Sequence, residues 1–172
     1  MTVPPSVPAT VPRRVVSPTI VAGGLAASAS TGALIAMGRR LGSARLPFAA
    51  IGATLAHASI SSEAMGLALL GFVGHVLLSF MWAFAFVALV TRGWRLATAG
   101  IVIGCGEFAL SWVTARVTNA GLASILPLGD RAVLAVVIAV SCVVGIRVAV
   151  APEQNASGSR GMRESPPGET RM

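Results

Sequence analysis

A glutamate in the middle of an otherwise apolar stretch is where this sequence offers the clearest opportunity for chemistry. Glu107 falls within IVIGCGEFALSWV. A charged group at mid-bilayer depth costs ~3 kcal/mol on insertion scales, so the side chain is expected to face protein and to have a partner. Ser111 lies one helical turn further on, and counting back through a turn at Gly93 brings Ser79 to nearly the same depth. Two readings follow. In one, Glu107 hydrogen-bonds Ser79 or Ser111 and locks two helices together; in the other it serves transport or proton handling. His75 shares a helical face with Gly71, Ser79, Trp82 and Phe86, while Arg116 stands one turn beyond Trp112. An offset of about five residues, or roughly 7 Å along the axis, disfavours a direct His75–Glu107 pair and leaves room for a bridging water. Glu107, His75, Ser79, Ser111 and Arg116 together form the candidate intramembrane polar site.

Other chemistry is poorly represented. The sequence has no paired carboxylates, no nucleophile beside a base, no phosphate-binding loop and no Cys/His cluster at metal-ligand spacing. No catalytic residue, cofactor, metal or enzymatic activity is therefore expected. A haem would need a second histidine at suitable depth, and His57 falls in a loop region. Cys105 and Cys142 lie in apolar stretches, where thiols act as small hydrophobes. Counted inward from Arg116 and Arg131 they reach similar depths, so an antiparallel helix pair could bring them face to face, although simple packing is the preferred explanation.

The elements that position these residues are four apolar stretches, at 18–37, 65–90, 96–117 and 132–150, each ending near arginine. About 20 apolar helical residues cross a ~30 Å hydrocarbon core. Hydrophobic residues make up 55% of the 172 and charged residues 11%, against about 25% charged in soluble domains. The net charge of +7 comes from arginine without lysine. These arginines sit at the ends of apolar runs and not along one exposed face, a pattern of membrane boundaries and not of nucleic-acid binding. The expected fold is all-α: an integral membrane four-helix bundle at 18–150 between disordered tails at 1–17 and 151–172. Pro4, Pro5, Pro8 and Pro12 mark the first tail; Gly, Ser, Pro and charge mark the second.

Local signals set the boundaries. Ser17 and Pro18 suit a helix start, Ser62 and Glu63 a second, and Asp130 a cap for the last helix, with Pro152 as its stop. Gly93 closes the second span in a turn so short that the second and third spans must be antiparallel neighbours. The apolar run 46–60, with Pro47 and Gly52, is short for a crossing and reads as an interfacial or re-entrant helix. Arg13 and Arg14 ahead of a weakly apolar run, with Ala27, Ser28 and Ala29 beyond, also fit an export signal; an uncleaved first span is preferred because three more spans follow.

Gly24, Ser28, Gly32 and Ala36 repeat every fourth residue in the first span, and Gly100 and Gly104 do so in the third. Such small residues allow close backbone approach in lipid. They predict packing of the first span on the third, or dimerisation. On a four-span topology, seven arginines flank the membrane on the side of the termini and five on the other, which predicts that both termini are cytoplasmic.

At Gly71, His75, Ser79, Trp82 and Phe86, following the glycine- and serine-rich first span, the chain resembles small four-helix bacterial membrane proteins known as domains of unknown function. The likeness covers roughly 18–90. It implies the four-helix architecture and carries no activity with it. The reading is thus a multi-pass inner-membrane protein, non-enzymatic and structural or accessory, with the lipid bilayer and a second copy or another membrane protein as partners. The alternative is a small oligomeric transporter or channel using Glu107 as its coupling or selectivity group; a membrane enzyme or redox carrier ranks third.

Overall fold

The computed structural model describes residues 16–61, 64–118 and 120–161, with side chains described from 18 to 150 within those ranges. The described elements are all helices: α1 (Val16–Arg40), α2 (Leu46–Ala56), α3 (Met65–Thr91), α4 (Leu96–Thr118), α5 (Leu122–Ile125) and α6 (Leu128–Gly161). By length and composition α1, α3, α4 and α6 can each cross a membrane. Valine is frequent in α6, at 133, 136, 137, 140, 143 and 144, and would favour a strand in water. In lipid only the helix satisfies every backbone N–H and C=O within the segment, so the bilayer overrides that preference.

Successive crossings are antiparallel. Ala22 of α1 lies against Gly145 of α6, while Arg40 at the other end of α1 pairs with Asp130 of α6 at 3.0 Å. Ser30 meets His75 of α3, and Gly23 meets Phe80. At the α3–α4 turn Gly93 adopts φ of 88°, the left-handed conformation that closes a helix and that glycine takes without steric cost. Gly93 N–H donates to Val90 at 3.0 Å and Trp94 N–H to Leu89 at 3.2 Å. The start of α1, the turn at 92–95 and the membrane exit of α6 therefore share one side, and α2 and α5 belong to the other.

Close backbone approach holds most of the bundle. A Cβ on Gly71 would come within 2.7 Å of the Gly52 nitrogen and nearer still to the Phe48 carbonyl oxygen, so α2 lies directly on α3. A Cβ on Gly145 would meet the Ala22 nitrogen at 2.9 Å. Ala22, Ala26, Ser30, Leu34 and Met37 form the buried face of α1, which packs on α6 and α3 and touches α2. Among long helices that follow one another in the chain, the seam between α3 and α4 is the sparsest. With 11 residues α2 reaches about 16 Å, roughly half a crossing, and it runs antiparallel along the first half of α3.

Several expectations need correction. Among the described residues α1 and α4 make no contact. Gly24 and Gly32 would meet nothing within 4 Å of an added Cβ, and Ser28 is exposed. Interleaved rows of small residues run along α1, and the inward one is the row of Ala22, Ala26 and Ser30 that the bulkier Leu34 and Met37 continue. Gly100 and Gly104 do sit close to another helix, but it is α6: added Cβ atoms would lie 3.3 Å from Val143 and 3.5 Å from the Ala135 carbonyl oxygen. Helix α6 begins at Leu128 and runs through Pro152 to Gly161, forgoing the bond that proline cannot donate. Asp130 lies in its first turn and engages Arg40. Helix α1 starts at Val16, one residue ahead of the expected Ser17 cap. Cys105 is exposed and Cys142 buried, and both are free thiols. The expected Ser62–Glu63 start, and the tails at 1–15 and 162–172, lie outside the described residues.

Close approach at Gly71 predicts that Gly71→Ala lowers stability in detergent by ~1–3 kcal/mol, the cost of overpacking, and that Gly24→Ala leaves melting unchanged. Equal losses for both in thermal unfolding would contradict the outward placement of the Gly24 face.

Candidate functional site

Helices α3 and α4, joined by the turn at 92–95, are cross-linked at the level of Trp82 and Glu107. The indole Nε1 of Trp82 donates a hydrogen bond to Glu107 Oε2. Its ring lies over Gly106, where a Cβ would come within 2.8 Å of the indole, so that glycine makes room for the tryptophan. Beyond this cross-link the seam opens into a cavity of about 530 Å³, lined by His75, Leu78 and Met81 of α3, by Glu107, Ser111 and Thr114 of α4, and by Ile51 and Thr54 of α2, among others. Its outer rim is built from lipid-facing side chains such as Leu70 and Leu77.

Both ionisable groups of the cavity belong to helix faces that are otherwise packed. Glu107 is 6% exposed and His75 is 3% exposed. Oε2 of Glu107 is engaged by the indole, while Oε1 makes no hydrogen bond among the described residues. His75 Nε2 lies 2.9 Å from Ser30 Oγ. The Ser30 hydroxyl has one proton and donates it to the Ala26 carbonyl of its own helix. That leaves Oγ to accept, which assigns the proton to Nε2 and a lone pair to Nδ1. The edge of Phe48 packs on the imidazole, with ring centroids 6.1 Å apart at 68°. Helix α2 thus roofs the histidine at the point where its own backbone rests on Gly71.

The structure therefore gathers Glu107, His75 and Ser111 around one cavity and disperses the rest of the expected set. Ser79 is buried and donates to the His75 carbonyl at 2.9 Å. Ser111 donates to Phe108 at 2.8 Å. Neither serine is the partner of Glu107. Arg116 stacks over Trp112, 4.8 Å from the ring centroid, and lines a separate pocket. Two contributors escaped the reading from sequence, Trp82 as donor to Glu107 and Ser30 as partner of His75. Trp82 could have been found, since it shares the His75 face and depth counting from Gly93 misses it by only three residues, a gap that an indole spans. Ser30 required knowing which face of α1 points inward.

What this arrangement can do is bind. A mostly apolar cavity within the roughly 300–1,000 Å³ range of small-molecule sites, holding a few convergent polar groups, suits an apolar body with one polar end. Glu107 Oε1 can accept a hydrogen bond or face a cation, and Nδ1 of His75 can accept a second. No nucleophile–base pair stands in the cavity, and among the described residues no three His, Cys, Asp or Glu side chains converge as a metal site.

Comparison with family models, with curated proteins and with solved structures gave no match, so the site rests on its own geometry.

Proposed function

We propose that this multi-pass membrane protein binds, and passes along, a small and mainly apolar molecule bearing a hydrogen-bond donor or a positive charge, received in the seam between α3 and α4. The observation that carries the reading is that Glu107 opens onto a cavity of about 530 Å³ that it shares with His75. A carboxylic acid used only to pin two helices would be sealed among side chains. The ligand reaches the cavity sideways from the bilayer, past Leu70 and Leu77, so one chain suffices and no oligomeric pore is required.

A second reading, a non-enzymatic accessory protein in which Glu107 serves packing, draws its support from the Trp82–Glu107 bond across an otherwise sparse seam. The two separate on one pair of variants. Equilibrium dialysis against tetraphenylphosphonium, a lipophilic cation, is expected to show saturable binding by the purified protein. Glu107→Gln should melt normally, because its amide oxygen still accepts from Trp82, yet bind at least about tenfold more weakly, or about 1.4 kcal/mol. Glu107→Leu should lose binding and also about 1 kcal/mol of stability, the scale of an intramembrane hydrogen bond. Absence of saturable binding, together with a stability loss in Glu107→Leu, would leave the packing role alone.

For location we propose the cytoplasmic membrane of a bacterium with both termini inside, on the strength of the arginine asymmetry. Reporter fusions at Met172 and after Arg45 are expected to report opposite sides, the first cytoplasmic. A fusion after Arg45 that reports the cytoplasm would invert the assignment.

A further inference from the structure

A second cavity, on the far side of α4 from the first, has the opposite charge. It measures about 380 Å³ and is lined by Trp112, Ala115 and Arg116 of α4, Ala123 and Ser124 of α5, and Arg131 of α6. Two arginines line it, and among the described residues no carboxylate does. Nε and Nη1 of Arg131 are buried and have no acceptor among the described residues. Buried guanidinium donors left unmade are costly, and a cation withdrawn from water calls for a counter-charge. The carboxylate next to it in sequence does not supply one to these atoms: Asp130 pairs instead with Arg40 of α1 at 3.0 Å. Aromatic faces one turn apart on α4 hold the two guanidinium groups: Arg131 lies 5.6 Å from the Phe108 centroid and Arg116 4.8 Å from that of Trp112. Arg131 also sits in the first turn of a long helix, where the helix dipole favours an anion. Ser124 of α5 also lines the pocket and donates its proton to the Gly121 carbonyl at 2.7 Å, and its oxygen accepts no bond from Arg131 Nε or Nη1.

Phe108 joins this pocket to something else. The same ring that lies under Arg131 lines an apolar groove of about 630 Å³ between α4 and α6, floored by Gly100, Gly104, Ala132, Ala135 and Ala139. From Ala132 to Val143 the groove follows α6 for about 16 Å, half the thickness of a bilayer core. Arg116 and Arg131 stand at the helix ends on one side of the membrane, and the groove runs inward from them. Guanidinium groups present charged, forked donors that match a phosphate, and these two stand between transmembrane helices at headgroup level.

We propose that Arg116 and Arg131 form a site for a phosphate group, and that the adjoining groove makes an acidic phospholipid its source: headgroup phosphate between the arginines, one acyl chain along Gly100, Gly104 and Ala135. This site is separate from the Glu107 cavity and does not depend on the function proposed for it.

The test uses the full chain, delipidated in detergent, titrated with phosphatidylglycerol or phosphatidylcholine and read by native mass spectrometry and by melting temperature. Phosphatidylglycerol is expected to bind at least about tenfold more tightly than phosphatidylcholine and to raise the melting temperature, as a native-state ligand does. Arg131→Gln and Arg116→Gln should each abolish that preference. Because Arg116 is exposed, its variant keeps the test valid if Arg131→Gln folds poorly. Arg147→Gln, on the opposite side of the membrane, and Glu107→Gln should both retain the preference. Inorganic phosphate alone should give no comparable shift at the same concentration. Equal affinity for the two lipids, or a preference that survives both arginine variants, would overturn the site; a shift with inorganic phosphate as large as that with the lipid would overturn its assignment to phospholipid.

Discussion

Lipid tails are as apolar as leucine, so helices in a bilayer gain little from hiding apolar side chains and must be held by close backbone contact and a few interhelical hydrogen bonds. That constraint organises this molecule. Gly52 and Gly71 bring α2 onto α3 at backbone distance, and Gly145 does the same for α6 on α1. The polar bonds found between crossing helices among the described residues include Ser30 to His75, Trp82 to Glu107, and Arg40 to Asp130 at the rim. Each joins a different pair of helices.

The distribution of these contacts explains where the cavity lies. Helix α1 carries small residues toward its neighbours and is tightly flanked by α6 and α3. Helix α4 turns Gly100 and Gly104 to α6, and beyond the approach of Gly100 to Phe86 its other face meets α3 where Gly106 admits the Trp82 ring. One hydrogen bond therefore substitutes for a packed interface, and the seam above it stays open. Placing the only membrane-buried carboxyl group among the described residues at that point gives the cavity both a floor and its principal polar group. On the other flank of α4, where Gly100 and Gly104 lie close to α6, small side chains on both helices leave the apolar groove that leads to Arg131.

Much of this was legible in the sequence because length and charge suffice for it. Four apolar runs, the arginines at their ends, and Gly93 between Arg92 and Arg95 determine the crossings and the antiparallel order. The faces were harder. A four-residue repeat of small side chains occurs in more than one register of α1, and the all-small row at Gly24, Ser28 and Gly32 turned outward, because burial also needs volume, which only the row ending in Leu34 and Met37 supplies. For Glu107 the depth and the inward orientation were readable, but the donor was not a hydroxyl of similar depth. Ser79 and Ser111 bond carbonyls of their own helices, a local option always open to serine, and the longer indole reached the carboxylate instead. The cavity itself follows from which helices fail to pack, information that no single segment carries.

The central claim is that Glu107 faces an open cavity while the neighbouring α1–α3 interface is closed. It can be tested most directly by thiol accessibility in bilayers, with Cys105 and Cys142 replaced by serine and a single cysteine introduced at Ser111, on the cavity wall, or at Ser79, in the sealed core. A membrane-permeant maleimide should modify Ser111→Cys promptly and spare Ser79→Cys, although both serines are buried within the same bundle. Equal protection of the two positions would mean that the seam is closed, and would contradict the account.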